Sequence, residues 1–452
     1  MAENARQDSS EKRLRDLTRA LEHGTLHQFR LILNTLHPAE IAHLLEALPP
    51  AQRSIAWELV NPDDDGDVLL HVNDEVRANL IREMETHELV AATEGMAVDD
   101  LADILQDLPG AVIREVLLSM DKQNRLRLEA VMSYPEDSAG GLMNTDTITV
   151  RADVTLDVVM RYLRLRGDIP ELTDNLIVVN RYDKYLGTLP LTSVLTKDPT
   201  LTVAEVMNTE MTGITASLPA KEVVKLFEDR DFVSAPVVDE HGKLLGRITI
   251  DDVVDVMRDE AEQSLLHMAG LNAEEDMFAP VIPSAQRRAV WLGINLATAF
   301  LASWVVGQFE AVLQKVVTLA ILMPIVASMG GIAGSQTLTL VVRGLALGQL
   351  RSSNTRWLLY KEISVGLLNG ALWALVVATI TVFWFHDARI GAIIGAAMMV
   401  NLLFAALAGV TIPLIQRRLG VDPALAGNVV LTTFTDVIGF MTFLGLGTLF
   451  LL

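Results

Sequence analysis

The sequence predicts a multi-domain integral membrane protein. An α-helical superhelical N domain comes first, then a duplicated α/β unit, a connecting helix and a bundle of five transmembrane helices. Three observations carry that expectation. Five C-terminal apolar stretches are each long enough to cross a ~30 Å hydrocarbon core, which takes about 20 helical residues. Charge divides sharply along the chain: of a net −21 over 452 residues, the part from residue 286 onward has ten Lys/Arg against five Asp/Glu. Residues 1–285 therefore carry −26 and the remainder +5. The acidic part also contains two internal repeats, a mark of stacked or duplicated units.

Residues 1–135 read as the helical domain. "HPAEIAHLLEALPP" at His37–Pro50 echoes "AVDDLADILQDLPG" at Ala97–Gly110 in apolar pattern and terminal Leu-Pro. Repeated helix pairs of this kind stack into superhelices. Asp99 and Asp103 fall four apart on one face with no intervening base, as a solvated helix start or a cation site would have them. The second repeat spans 136–258, in copies of about 136–202 and 203–258. "LMNTDTITVRADVTLDVVMRYLR" pairs with "VMNTEMTGITASLPAKEVVKLFE", and a β-β-α pattern with a polar turn follows each. A connecting helix follows at 259–285, and Asp252, Asp255, Asp259 and Glu262 align at steps of three and four along the run that leads into it. Like charges at that spacing repel one another, so the stripe suits either solvent or bound cations.

The membrane domain occupies 286–452, with spans near 289–309, 316–342, 363–385, 390–416 and 424–450. The polar N-terminus "MAENARQDSSEKRLRDL" lacks the apolar core of a signal peptide, which places the acidic part in the cytoplasm. Eight Lys/Arg then fall in cytoplasmic loops and two, Lys315 and Arg389, in outer loops. That bias fits the positive-inside rule with the C-terminus outside. The expected setting is the lipid bilayer of the cell's inner (plasma) membrane. Five spans are few to enclose a hydrated path, so a symmetric homodimer is expected.

Asp436, in "TTFTDVIGF", is the only charged side chain from Pro423 to the end. A carboxylate at the centre of a membrane helix costs roughly 2.5–3.5 kcal/mol on insertion scales. Such residues mark ion or proton pathways. Asn428, Thr432, Thr435, Asp436 and Gly439 recur at steps of three and four and predict one polar face. In span two, Pro324 and Gly330, Gly331 and Gly334 either pack helices closely or loosen the helix and free carbonyls as ligands. Two chemistries stay open for Asp436. A divalent cation wants oxygen ligands, and the supply here is carboxylate, amide and carbonyl without thiol or imidazole, which favours Mg²⁺ over Zn²⁺ or Cu²⁺. The alternative is a proton-coupled transporter of another cation or solute, with Asp436 as proton carrier, but His386 is the only histidine after residue 267. A membrane-anchored nucleotide sensor is a third class, disfavoured by so marked a polar face. The absence of cysteine excludes disulfides and thiolate metal sites. No Walker loop or His-Glu-x-x-His motif is present, so no enzyme is expected, and the acidic surface excludes nucleic acid as a partner.

The duplicated unit resembles a tandem pair of CBS domains, which implies a regulatory module and ATP as a candidate ligand. Thr249 and Asp252 match that family's ribose-contacting Thr-x-x-Asp pattern, while Leu191–Val194 of the first copy has no such Asp. The whole order, together with "YPEDSAGGLM" at Tyr134–Met143, "DDLAD" at Asp99–Asp103 and "GVDPALAGNVVLTTFTDVIG" at Gly420–Gly439, resembles the MgtE-type magnesium transporter family. The resemblance implies a homodimeric Mg²⁺-selective channel with Asp436 as pore ligand, flanked by Asn428 and Thr432. It further implies gating by cytoplasmic Mg²⁺ on Asp99, Asp103, Asp231, Asp252, Asp255, Asp259 and Glu260. Two departures stand out. Ile332 replaces the asparagine of the family's Gly-Gly-Asn-x-Gly-x-Gln segment, and Pro219, Lys221 and Gln263 fall where the family's sensor is acidic. The departures imply weaker inhibition by Mg²⁺.

Overall fold

A computed structural model describes residues 26–93, 96–106, 108, 110–268, 270–271, 276–346, 348–350 and 353–452. The chain forms two compact units, residues 1–261 with 274–279 and residues 262–273 with 280–452.

The first unit begins with helices α1 (Leu26–Leu33), α2 (Pro38–Glu46), α3 (Pro50–Trp57), α4 (Asp65–His71), α5 (Asp74–Glu83), α6 (Thr86–Ala92), α7 (Val98–Gln106), α8 (Gly110–Ser119) and α9 (Lys122–Val131). These helices are short, and several carry side-chain caps. His37 and Glu40 form a capping box at α2, Asn73 caps α5, and Asp121 caps α9. The echo read from the sequence is a repeated helix pair, α2–α3 and α7–α8.

Two matching α/β copies follow. The first comprises β1 (Thr149–Arg151), α10 (Leu156–Arg166), β2 (Asn175–Val179), β3 (Tyr185–Pro190) and α11 (Leu191–Thr196). After α12 (Val203–Val206) the second comprises β4 (Ile214–Thr215), α13 (Ala220–Arg230), β5 (Ser234–Val238), β6 (Leu244–Thr249) and α14 (Ile250–Met268). In both, the first two strands are parallel, the last two antiparallel, and the middle strand bulges at its end, at Val178/Val179 and Val237/Val238. The hairpin turns match too. Asn180 Oδ1 accepts from the Tyr182 and Lys184 amides, and Asp239 Oδ1 from those of His241 and Lys243. Asp183 and Gly242 take the left-handed backbone each turn needs. One apolar core runs from Phe29 and Ile104 of the helical part into Phe227 and Val237 of the second copy, while the first copy has a core of its own around Leu156 and Val178.

The second unit holds α15 (Val281–Gly307), the short α16 (Glu310–Lys315), α17 (Val317–Ala346), α18 (Thr355–Phe385), α19 (Ala388–Arg418) and α20 (Pro423–Leu451). Five of these helices are long and apolar enough to span a membrane. α19 is central, with 61% of its apolar window buried against 11% for α15. The helices run past the expected spans at several ends. Two changes are equally large: α15 begins at Val281 rather than near 289, and α18 begins at Thr355 rather than near 363 and so draws Lys361 and Glu362 into the helix. α17 is continuous through Pro324 and the glycines. The expected loosening is therefore absent, and the glycines serve close packing. A side-chain carbon on Gly330 would lie 2.3 Å from the Asn401 amide nitrogen, and one on Gly334 would lie 3.0 Å from Leu431.

Candidate cation pathway

Helices α17 and α20 border an open groove of about 1030 Å³. From α17 it is lined by Ser335, Gln336, Thr339 and the 55% exposed Ile332, and from α20 by Thr432 and Asp436. Ser335 Oγ donates to Asn428 Oδ1 at 2.6 Å, joining the two helices one turn from Thr432. The Thr432 hydroxyl is spent on the carbonyls of Asn428 and Val429, at 3.0 and 3.1 Å. Asp436 is half-buried, and among the described residues no cation pairs with it and no donor reaches its carboxylate. Among the described residues it is also the only ionisable side chain lining the groove.

The polar face expected on the last helix splits in two. Asn428, Thr432 and Asp436 lie toward α17, whereas Thr435 is fully buried and Gly439 abuts Asn401 of α19. Steps of four drift one way around a helix and steps of three the other, so the five share one arc, and the split comes from which neighbouring helix packs on that arc at each level. Asn401 itself is fully buried. Its Nδ2 donates to the Val326 carbonyl at 2.8 Å and its Oδ1 has no partner among the described residues.

In the soluble unit the expected sensor residues divide. Asp99 is buried and accepts from Asn144 Nδ2 at 3.1 Å. Burial raises its carboxyl above the usual range, and Asp251 adds to the shift. Burial raises Asp103 to about 7, with Glu136 adding to it. Asp252 rises to about 8 by burial and by repulsion from Asp99 and Asp251. Asp100, absent from the sequence-based set, rises to about 7 by burial and by Asp99, Asp103 and Asp251. Asp255 is raised by burial against the opposing pull of His71 and Arg258. The remaining residues are placed otherwise. Asp231 is exposed and ends α13 in left-handed conformation, Glu260 meets Lys221 Nζ at 3.2 Å, and Asp259 lies on an exposed face of α14. Among the described residues no three acids or histidines converge as a ready metal site. The Thr249 hydroxyl bonds Asp251 and Asp252, so the pair expected to touch a ribose is committed to itself and to the acid cluster.

Sequence reasoning missed Asp100, Asp251, Ser335 and Gln336. Asp251 directly precedes a chosen residue, and Ser335 and Gln336 lie in the glycine-rich segment already singled out, so local signals existed for these. Residues 323–446 match the family described as divalent cation transporter, residues 36–137 the MgtE intracellular N domain, and residues 203–259 the CBS domain. The magnesium transporter MgtE of Thermus thermophilus is 32% identical over 98% of this chain and 99% of its own. This chain belongs to the MgtE family. The Bacillus subtilis magnesium transporter MgtE is 27% identical over 95% of this chain and 96% of its own. A solved cytosolic domain of the Mg²⁺ channel MgtE in complex with ATP aligns with 54% of this chain and 99% of its own, at 32% identity and a TM-score of 0.49. MgtE proteins are transporters, not enzymes, and the expected family and the expected order of helical, α/β and five-helix parts both hold.

Proposed function

We propose that this MgtE-family chain conducts Mg²⁺ across the inner (plasma) membrane as a homodimer, with Asp436 as the ion's carboxylate ligand and Asn428 and Thr432 beside it. Asp436 carries the reading: it is a carboxylate without a countercharge among the described residues, in a groove between two spanning helices that also presents Ser328, Ser335, Gln336, Thr339 and Thr432. Mg²⁺ dehydrates reluctantly and keeps waters, so a wide groove lined by hydroxyl, amide and carboxylate oxygens suits it. The ion's charge would offset the cost of placing the carboxylate in the membrane. A proton relay would need further acids or histidines along the groove, and its described lining has none.

Two features support a second copy. The groove is open along one side, and the first α/β copy exposes Val158, Tyr162, Leu165 and Leu195, the last two at 88% and 71%. The working parts remain 1–135, 136–202, 203–258, 259–285 and 286–452, with the N-terminus cytoplasmic and the C-terminus outside. Gating follows from the acid cluster. At high cytoplasmic Mg²⁺, cations on Asp99, Asp103, Asp252 and Asp255, with Asp231, Asp259 and Glu260 further out, would compact the soluble unit and hold the path shut. At low Mg²⁺ the uncompensated charges would repel and release it. ATP at Thr249 and Asp252 would have to displace the hydrogen bonds these residues share, so no step is routed through a nucleotide.

The test is Mg²⁺ influx into liposomes carrying wild-type protein, Asp436→Ala or Asp436→Asn at matched incorporation, with the soluble side free of Mg²⁺. Influx in wild type that falls to the level of empty liposomes in both variants is expected. Equal influx in all three would remove Asp436 from the path.

A further inference from the structure

The membrane unit buries a second carboxylate that the groove does not use. Glu362 of α18 is 3% exposed. Its Oε1 lies 2.5 Å from Lys361 Nζ, and its Oε2 accepts from Thr337 Oγ1 of α17 at 3.2 Å. α18 otherwise packs on α19 through a row of small residues spaced by four, Gly366, Gly370 and Ala374, and Glu362 begins that row. It reaches α17 where Gly409 of α19 leaves room. A side-chain carbon on Gly409 would lie 2.8 Å from Thr337 Cβ and 2.9 Å from the Gly334 carbonyl. Thr337 is 6% exposed and sits between Gln336, which lines the groove, and Leu338, which is packed in the core.

A buried ion pair adds little net stability over well-packed apolar side chains, and its attested use is to fix one arrangement among several. An ionisable residue within a membrane span marks function by default. We propose that Glu362 is a positioning residue for the conduction path. Through Thr337 it fixes the rotation of α17 about its axis, and with it the direction in which Ser335, Gln336 and Thr339 meet the ion. The proposal rests on the reading of the α17–α20 groove as the path. The Lys361 ammonium meets one carboxylate oxygen and leaves the other to Thr337, and a charged acceptor makes such a hydrogen bond stronger than a neutral one.

The experiment measures Mg²⁺ and Ca²⁺ influx over a range of ion concentrations in liposomes. The proteins are wild type, Glu362→Ala, Glu362→Gln, Thr337→Val, Thr337→Ser and Asp436→Ala, each checked for thermal stability in detergent. Loss of a hydrogen bond to a charged group predicts about a tenfold loss of Mg²⁺ influx in Glu362→Ala and Thr337→Val, with a matching change in the Mg²⁺/Ca²⁺ ratio. Glu362→Gln and Thr337→Ser, which keep an acceptor and a donor, should retain the wild-type ratio. If Glu362→Ala fails to fold, the Thr337 pair carries the test. An unchanged ratio in Thr337→Val, with influx reduced only in proportion to folded protein, would overturn the proposal. So would a Glu362→Gln variant as inactive as Asp436→Ala beside a normal Thr337→Val, which would put the Glu362 charge itself on the path. Continued influx in Asp436→Ala would instead unseat the groove reading, independently of the ratios at 362 and 337.

Discussion

In the soluble unit Asp99, Asp100, Asp103 and Asp252 are held above the ordinary carboxylate range, by burial first and then by one another and Asp251. In the membrane unit Asp436 has its groove to itself, and Glu362 is tied to Lys361 and Thr337. On the proposed reading the first arrangement stores repulsion that a small cation relieves, so it is the part that would respond to cation concentration. The second offers one charge at one place, so it suits passage and discrimination. An acid in this chain is thus defined by how many others it must share a volume with. Neutralising acids in the two units should therefore have opposite consequences.

The strongest attempt to break that contrast neutralises the crowd. Asp99→Asn with Asp252→Asn removes two mutually repelling carboxyls while leaving the groove untouched. Influx at low cytoplasmic Mg²⁺ should stay near wild type. The Mg²⁺ concentration that halves channel activity in patch recordings should rise roughly tenfold, the effect of losing about one strong cation contact. Loss of conduction at low Mg²⁺ would mean that the soluble acids serve the path directly, and the division between the units would fail.

A smaller effect sharpens the comparison through pH. Asp100, Asp103 and Asp252 ionise near the ordinary 3.8 when unfolded but at about 7, 7 and 8 in the folded chain. Between those limits the folded state binds more protons than the unfolded one, so stability falls as pH rises through about 7 to 8. A cation that needs the ionised carboxylates reverses this, and its binding releases protons. In EDTA the melting temperature of the full chain in detergent should drop between pH 6 and 8.5. Millimolar Mg²⁺ should recover more of it at pH 8.5 than at pH 6. A Mg²⁺ stabilisation that is equal at both pH values would detach the cluster from cation binding.

How legible these features were in the sequence depends on whether their signal is local. The tandem repeat was legible because its signals lie within short segments: alternating apolar strands and a polar turn, realised as matched bulges and the left-handed Asp183 and Gly242. The spans were legible from hydropathy, yet the same measure hid Glu362. Hydropathy treats a charge as the end of a span, whereas α18 starts at Thr355 and buries the charge against α17. Thr432 and Asp436 share the groove as a step of four predicts, but Thr435 is fully buried and Gly439 turns toward α19, because helical spacing gives angles and not the partners that occupy them. Asp251 and Asp100 each sit beside a chosen acid, but that the two segments meet is a tertiary contact that no spacing along the chain encodes.

The smallest effect concerns an expected sensor acid that already holds one of the chain's own cations. Lys221, near the start of α13, lies 3.2 Å from Glu260 of α14. Both side chains are well exposed, at 68% and 35%, so screening by water keeps the pair weak. The tethered ammonium nevertheless occupies a position that a diffusible cation would otherwise fill. Glu260 is then partly neutralised whatever the Mg²⁺ concentration, and that share of the response is lost. Lys221→Glu restores an acid there and should lower the half-inhibiting Mg²⁺ concentration about two- to threefold, as expected for an exposed charge pair. Lys221→Met should move it less in the same direction, since it removes the ammonium without adding a carboxylate. The shift should shrink at high ionic strength, because exposed charges are screened over about 8 Å at physiological salt and over less above it. A Lys221→Glu channel with unchanged Mg²⁺ sensitivity would mean that Glu260 takes no part in gating, and the responding acids would contract to the buried group around Asp99 and Asp252.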